Sequence, residues 1–395
     1  VQHKINQLKE ICFLNSVDYP EFPSNSYKKM MSQLGINSDN LNVPWEFIIP
    51  KNEFEKENNV FIEKLELIKK DLNYDYYNNV FSKTSNVFNF LGKAKINEEN
   101  YINHLEINDG NSLLNSFEYD RKGFCKQIPK YSLTDSSTGR MIIKSGPKIL
   151  NLEKKYRNIL ESRFGEDGKL WYLDFISLEP RVLLSINNFN LLSIGHPPQD
   201  EKDLVKDIYE FTLKKTKLSS VLTREVVKKI ILWQCYGMKK ENILHVLTEN
   251  NITHPEDVFD IIEEFYGIKD IKDSILKNMI KKDNVNIIEN FYGRKIKLVS
   301  DEMYKLINYF IQSTAVDVAL LGFHKMLETI NKIEGANNFI IPIFILHDAI
   351  IFDVHNKLEH VVPKLCEIGS KNIYNLEETK FWIKGELFEN TYKIQ

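Results

Sequence analysis

The sequence predicts an α+β protein in which short apolar strands end in acidic residues and a long helical region separates them. Two stretches carry that prediction. Trp171 to Arg181, W-Y-L-D-F-I-S-L-E-P-R, runs apolar and aromatic residues into a lone Asp174, then turns toward Glu179 and Arg181. It reads as a short buried strand that presents a carboxylate at its C-terminal edge. Phe339 to Val354, F-I-I-P-I-F-I-L-H-D-A-I-I-F-D-V, reads as two apolar strands joined where His347 and Asp348 interrupt the run. A charged pair there is costly unless it lies at a turn or binds something. From Arg181 to about Asn290 the pattern is mostly helical, punctuated at Gly195 to Pro198, His254-Pro255 and Gly267.

The totals bound the class. A chain of 395 residues is too long for one ordinary core and predicts two or three subdomains. Its 43% hydrophobic and 27% charged residues are those of a soluble globular protein. A formal net charge of -3 excludes a uniformly basic surface, so contact with nucleic acid requires a local cationic groove. Cys12, Cys125, Cys235 and Cys366 stand far apart, with no C-x-x-C pair, and predict reduced thiols instead of a disulfide frame or zinc site. The apolar run Phe339 to Leu346 is too short to span a bilayer, and the first ten residues lack the apolar core of a secretory signal. The expectation is a cytoplasmic protein, or one in an equivalent internal compartment, without a membrane partner.

Taken in order, Val1 to about Pro44 suggests no function. From Asn52 to Leu72 the residues Phe61, Leu65, Ile68 and Leu72 share one helical face. The stretch to about Tyr131 reads as helices and loops of a peripheral subdomain. Thr134 to Arg140, T-D-S-S-T-G-R, is a polar turn before Met141-Ile142-Ile143, and Leu152 to Phe164 looks helical. Ser177 is placed to cap the helix after the Asp174 strand, and Pro180 is tolerated in a first helical turn. In Leu222 to Gly237, L-T-R-E-V-V-K-K-I-I-L-W-Q-C-Y-G, the residues Arg224, Lys228, Leu232 and Tyr236 recur every four positions. On a helix they drift by about 40° per step and span roughly 18 Å, with two cations at one end and apolar or aromatic groups at the other. Phe291 to Val299, F-Y-G-R-K-I-K-L-V, alternates like a hairpin. Glu302 to Ile330 predicts a long amphipathic helix with Leu306, Phe310, Leu320 and Leu327 among its apolar positions, and with Asn308 and Gln312 on one face.

If Asp174 and Asp348 meet, they repel each other and stay ionised only with cations between them. Hard oxygen ligands fit Mg²⁺, which takes its remaining ligands from water and substrate phosphates. A pair of such ions activates an attacking hydroxyl and holds a leaving oxygen, and Arg224 with Lys228 complements a triphosphate. Those parts describe a nucleotidyltransferase.

From about Leu133 to Val354 the chain resembles the polymerase region of family A DNA polymerases, the class of bacterial polymerase I and its phage relatives. D-F-I-S-L-E-P-R resembles that family's motif A, D-Y-S-x-I-E-L-R. R-x-x-x-K-x-x-x-L-x-x-x-Y-G resembles motif B, and H-D-A resembles motif C, H-D-E. T-G-R at 138 to 140, F-Y-G-R-K at 291 to 295 and the Asn308/Gln312 pair match in the same order. The resemblance implies a right-hand polymerase: an antiparallel palm sheet with helical fingers and thumb. The implied segments are an N-terminal extension (1–44), a thumb-like subdomain (45–132), palm with motif A (133–181), fingers (182–300), and palm with motif C plus the C-terminal segment (301–395).

By the same resemblance, Asp174, Asp348 and the Phe175 carbonyl would ligate two Mg²⁺ ions, for which Mn²⁺ can substitute. Ser177, Leu178, Glu179, Arg224, Lys228, Leu232 and Tyr236 would surround the incoming nucleotide, with Glu179 disfavouring a 2'-hydroxyl. Thr138, Arg140, Arg294, Asn308, Gln312 and His347 would touch primer-template DNA, largely in the minor groove, where common acceptors report geometry without sequence. The implied partners are primer-template DNA and dNTPs, the implied state a monomer, and any processivity partner is unspecified. Three positions depart from the pattern: Leu232 replaces an aromatic, Trp233 stands where Gly is frequent, and Ala349 replaces the acid after the motif C aspartate. The residues before T-G-R suffice for a thumb and a small extension, so no proofreading exonuclease is expected in this chain. Two alternatives share parts of the pattern: a single-subunit phage-type RNA polymerase, and a catalytically silent DNA-binding subunit of polymerase shape.

Overall fold

Near-continuous apolar runs at 340–346 and 349–354, buried on both faces, join 168–175 in one antiparallel sheet. The computed structural model describes residues 12, 25–33, 35, 47, 49–70, 73–107, 113–187, 207–282, 285–377 and 379–392. The chain divides into two units, 1–77 and 78–395, a boundary that falls inside the segment assigned to a thumb. The expected punctuation at Gly195 to Pro198, Leu72, and most of the segment before Pro44 lie outside the described residues.

The first unit contains α1 (Asn25–Gln33) and α2 (Lys51–Lys70). In α2, Glu53 in the first turn and Lys69 and Lys70 in the last complement the helix dipole, while Phe61 and Leu65 lie half-buried on one face.

In the second unit, β1 (Lys95–Ile96), α3 (Glu98–Ile107), β2 (Lys130–Ser132), β3 (Ile142–Ser145) and β4 (Leu160–Glu161) lead into β5 (Gly168–Phe175). A helical series follows: α4 (Leu178–Ile186), α5 (Ile208–Lys215), α6 (Arg224–Cys235), α7 (Lys240–Glu249), α8 (Pro255–Phe265) and α9 (Ile268–Asn278). A small sheet of β6 (Ile280–Lys282), β7 (Val285–Glu289) and β8 (Lys295–Val299) precedes α10 (Leu306–Lys332). The chain continues through β9 (Ile340–Leu346), β10 (Ala349–His355), α11 (Val362–Gly369) and β11 (Ile383–Leu387).

The main sheet runs β11-β5-β10-β9, antiparallel throughout. Alternation sends its side chains to two cores. On one face, Leu170, Phe344, Leu346 and Ile351 pack with Phe117, Tyr156, Ile159 and Phe388. On the other, the Phe175 ring lies 5.7 Å from Phe323 of α10. Gly322 permits that approach, because a Cβ there would stand 2.7 Å from the Gly369 carbonyl and 2.8 Å from Phe175.

Several sequence expectations need correction. Leu152 to Phe164 is not an α-helix; it holds a 3-10 segment at Lys154–Ile159 and then β4, whose pairing with β1 claims its backbone groups. The helical region ends at Asn278, since β6 and β7 occupy most of the stretch before Asn290. The hairpin expected at Phe291 to Val299 begins earlier: β7 and β8 are its arms, and Phe291 to Arg294 lies in the turn, with Gly293 at φ 91°. Finally, α10 is not amphipathic. Its residues are buried on most sides because the sheet, α4, α6, α9 and α11 pack around it. Met303–Lys332 is long and apolar enough to cross a membrane by composition, yet 78% of its most apolar window is buried, as in a core helix.

Candidate active site

Strand register brings the two predicted aspartates to one sheet edge. Asp174 pairs with Ala349 across β5 and β10, and the Phe175 N–H donates to the Asp348 carbonyl at 3.2 Å. Two tight turns create the arrangement. β9 and β10 are joined by His347-Asp348 alone, with His347 left-handed at φ 54°, as a two-residue hairpin requires. β5 leaves through Ile176-Ser177, with Ser177 at φ 51°, before α4 begins. Each left-handed residue that is not glycine costs roughly 1 kcal/mol or more, which the surrounding sheet must offset. Ser177 does not cap α4, contrary to expectation: it sits left-handed at the joint and makes no side-chain cap bond, and its hydroxyl lies near Tyr209 instead.

The paired carboxylates hold protons unusually well. Asp174 is pushed up to about 8, first by burial and then by Asp348, Glu386 and Glu179, with Lys384 opposing. Asp348 is pushed up to about 6 by burial and Glu179, against its own backbone N–H and Arg140. Those protons belong to the pair more than to either residue. His347 is pushed down, chiefly by the protein crowding one side of its otherwise exposed ring, and further by Arg140 and Arg157.

Helix α6 stands over the same region. Thr223 caps it by accepting from the Val226 N–H at 3.4 Å, and Val227, Ile230, Ile231 and Gln234 form its buried face. The predicted row lies on the remaining side: Arg224, Lys228 and Leu232 are half-buried and Tyr236 is exposed. Gly237, left-handed at φ 71°, ends the helix where a Cβ would stand 2.7 Å from the Tyr304 carbonyl, which explains the Tyr-Gly pair. Burial, Glu179 and Cys235 push the Tyr236 hydroxyl up to about 12, with Arg140 opposing. The far end of the row therefore shares an electrostatic neighbourhood with α4 and the T-G-R loop. At the near end, Arg224 Nε lies 2.6 Å from Asp207 Oδ2, and its Nη1 lies 2.6 Å from Glu225 Oε1. Asp207 also caps α5 through the N–H groups of Tyr209 and Glu210 at 3.0 and 3.3 Å. The Tyr209 ring underlies both cations, 5.4 Å from Arg224 and 6.0 Å from Lys228.

Other predicted residues fare unevenly. Arg294 is not available to DNA: it is 1% exposed, its Nη2 lies 2.6 Å from Asp317 Oδ1, and its guanidinium packs under Gly139. Thr138 is also buried, so within the T-G-R triplet only Arg140 is exposed. The Leu178 side chain belongs to the core, not to a nucleotide surface. Glu179 is half-buried beside the carboxylate pair; Asn308 and Gln312 stand one turn apart on α10, half-buried, with Asn308 Oδ1 lacking a partner.

Four residues near the site carry no motif signal. Tyr209 and Asp207 are placed by α5. Arg157, beside Tyr172 and His347, has a buried Nε without a partner and only a 3.4 Å contact from Nη1 to Thr391. Burial pushes its guanidinium down. Lys384 faces Asp174 from β11. Cross-strand or through-space placement locates all four, and local spacing cannot report that.

Among the described residues, no group of three or more His, Cys, Asp or Glu gathers to hold a metal. Two carboxylates and a nearby backbone carbonyl nonetheless suit Mg²⁺, which is commonly bound through one or two carboxylates plus substrate phosphates.

No family model matches the chain, and no curated protein matches it. Among solved structures it is similar to the polymerase domain of Pol1 from M. smegmatis in complex with DNA primer-template and dNTP. The TM-score is 0.51 and the sequence identity 13%, over 98% of this chain and 65% of that one. The likeness is one of fold: the chain has the mixed helix-and-sheet fold of a DNA polymerase domain and spans 65% of that relative's length.

Proposed function

We propose that the chain is a template-directed DNA polymerase of family A type that adds dNTPs to a primer 3'-hydroxyl by two-metal-ion nucleotidyl transfer. The observation that carries this reading is the pairing of β5 with β10, which sets Asp174 beside the Asp348 turn, together with the α6 row of Arg224, Lys228 and Tyr236. The likeness to a polymerase domain solved with primer-template and dNTP supports it at the level of fold.

In this reading Asp174, Asp348 and the Phe175 carbonyl hold Mg²⁺, which supplies charge neutralisation for the attacking and leaving oxygens. Arg224 and Lys228 bind the triphosphate, and Leu232 and Tyr236 line the base end of the pocket. Glu179 occupies the space beneath the sugar. Arg140 and His347 approach the primer terminus, and Arg157 offers a half-buried guanidinium without a carboxylate partner, suited to a backbone phosphate. The primer oxygen bonds to the α-phosphorus, the bond to the bridging oxygen breaks, pyrophosphate leaves, and the hydroxyl proton passes to solvent.

The test is extension of a primed template by the full chain and by Asp348→Ala. Loss of extension in the variant is expected; equal extension by both defeats the mechanism. Equal use of dNTPs and rNTPs by the unmodified protein would instead favour the RNA polymerase alternative.

A further inference from the structure

Asp174 is flanked by two strands that differ in charge. On the β10 side its partner is Ala349, where the resemblance to motif C has an acid. On the β11 side its partner is Lys384, and Glu386 stands opposite Tyr172. Alternation places Lys384 and Glu386 on the face that carries Asp174 and Tyr172. The residue between them points the other way: a Cβ on Gly385 would meet Cys366 Sγ at 3.2 Å and Val362 at 3.5 Å, both on α11. Lys384 Nζ lies 2.6 Å from Glu386 Oε2.

Directly opposed residues in an antiparallel pair have Cβ atoms about 4.5–5.5 Å apart, so the four-carbon arm of Lys384 has two acceptors within reach. It is bonded to Glu386, although Asp174 is the direct cross-strand neighbour. Both charges register at Asp174, Glu386 raising its proton affinity and Lys384 lowering it.

We propose that Lys384 is a tethered counter-charge for Asp174, and that Glu386 is a positioning residue that holds the Lys384 ammonium off the carboxylate so that a divalent cation can enter. The inference rests on the reading of Asp174 and Asp348 as a cation site. It makes β11 a regulator of how tightly that site binds, on the flank opposite the one where Ala349 has left a carboxylate missing. An unrestrained ammonium at Lys384 competes with the incoming cation, and a restrained one competes less.

Titration of the full chain with Mn²⁺, without DNA or nucleotide and followed by the electron paramagnetic resonance signal of free Mn²⁺, tests the proposal. Lys384→Met should bind Mn²⁺ about threefold more tightly than the unmodified protein, and Glu386→Gln about threefold more weakly, the scale of one half-exposed charge. In the double variant the Glu386→Gln penalty should largely vanish, because no ammonium remains to be released. A plain third carboxylate would give the same penalty in both backgrounds, and that result overturns the positioning assignment. Unchanged affinity in Lys384→Met overturns the counter-charge. Asp348→Ala separates the two readings. If it abolishes binding while the β11 variants do nothing, only this inference falls; if it binds as the unmodified protein does, the cation site itself falls with it.

Discussion

Two arginines singled out by the same kind of motif occupy opposite environments. Arg294 pairs with Asp317 where the two side chains are 1% and 0% exposed, and Asn290 braces the pair by donating to Asp317 Oδ2 at 2.8 Å. Arg224 pairs with Asp207 where the side chains are 37% and 32% exposed, over the open end of α6. The first pair is sealed into the fold and holds the turn after β7 against the T-G-R loop. The second can be exchanged for a ligand, because water already reaches both partners. Burial, not the motif, separates an arginine sealed into the fold from one that a ligand could reach.

Removing Arg294 should have the largest effect. Arg294→Ala leaves Asp317 as an unpaired buried charge and should cost about 3–5 kcal/mol, read as a lower urea midpoint; a midpoint like that of the unmodified protein would erase the contrast. Arg224→Ala should change stability by no more than about 1 kcal/mol while raising KM for dNTPs about tenfold or more in primer extension. A large loss of stability with unchanged KM would make the two arginines alike.

The third prediction concerns pH. Between 3.8 and about 8 the folded protein keeps a proton at the Asp174 pair that the unfolded chain has released, so this pair lowers stability progressively as pH rises through that window. In EDTA, Asp174→Asn should therefore melt higher than the unmodified protein at pH 8.5, with the gap closing toward pH 4; thermal melts at both ends check this. Added Mg²⁺ should raise the melting temperature of the unmodified protein most at the alkaline end. Asp207→Asn should have the smallest effect. Asparagine keeps the α5 cap but releases Arg224, so KM for dNTPs should fall about two- to threefold with little change in stability.

Much of the site was legible because acids that interrupt apolar runs are conspicuous. Asp174 and Asp348 stood out for that reason, and the hairpin between β9 and β10 followed from the same interruption. The α6 row was legible from spacing, since its apolar residues fall on the opposite side of the helix. The fate of Arg294 was not, because its partner Asp317 lies in a helix whose burial depends on everything packed around it. The expected amphipathicity of α10 failed for the same reason: a helix surrounded by protein needs no polar face. Ser177 failed as a cap because capping propensity is local, whereas its left-handed backbone is imposed by the joint between β5 and α4. Lys384 and Glu386 gain meaning only from the register of β11 on β5, which the sequence of β11 alone does not specify.

One contact bears on the fate of the molecule in a crowded cell. The main sheet is open, and β9 is one of its edges. There the Tyr131 hydroxyl donates to the Ile345 carbonyl at 2.9 Å and accepts from the Ile345 N–H at 3.0 Å. A single phenol thus satisfies both hydrogen-bonding groups of one buried residue on that margin, and the Gly92 N–H donates to the Pro342 carbonyl further along it at 2.8 Å, so this part of the edge is closed to a second chain. Without that hydroxyl, as in Tyr131→Phe, the Ile345 N–H and carbonyl would stay buried without a partner, a loss of about 1–3 kcal/mol read as a lower urea midpoint.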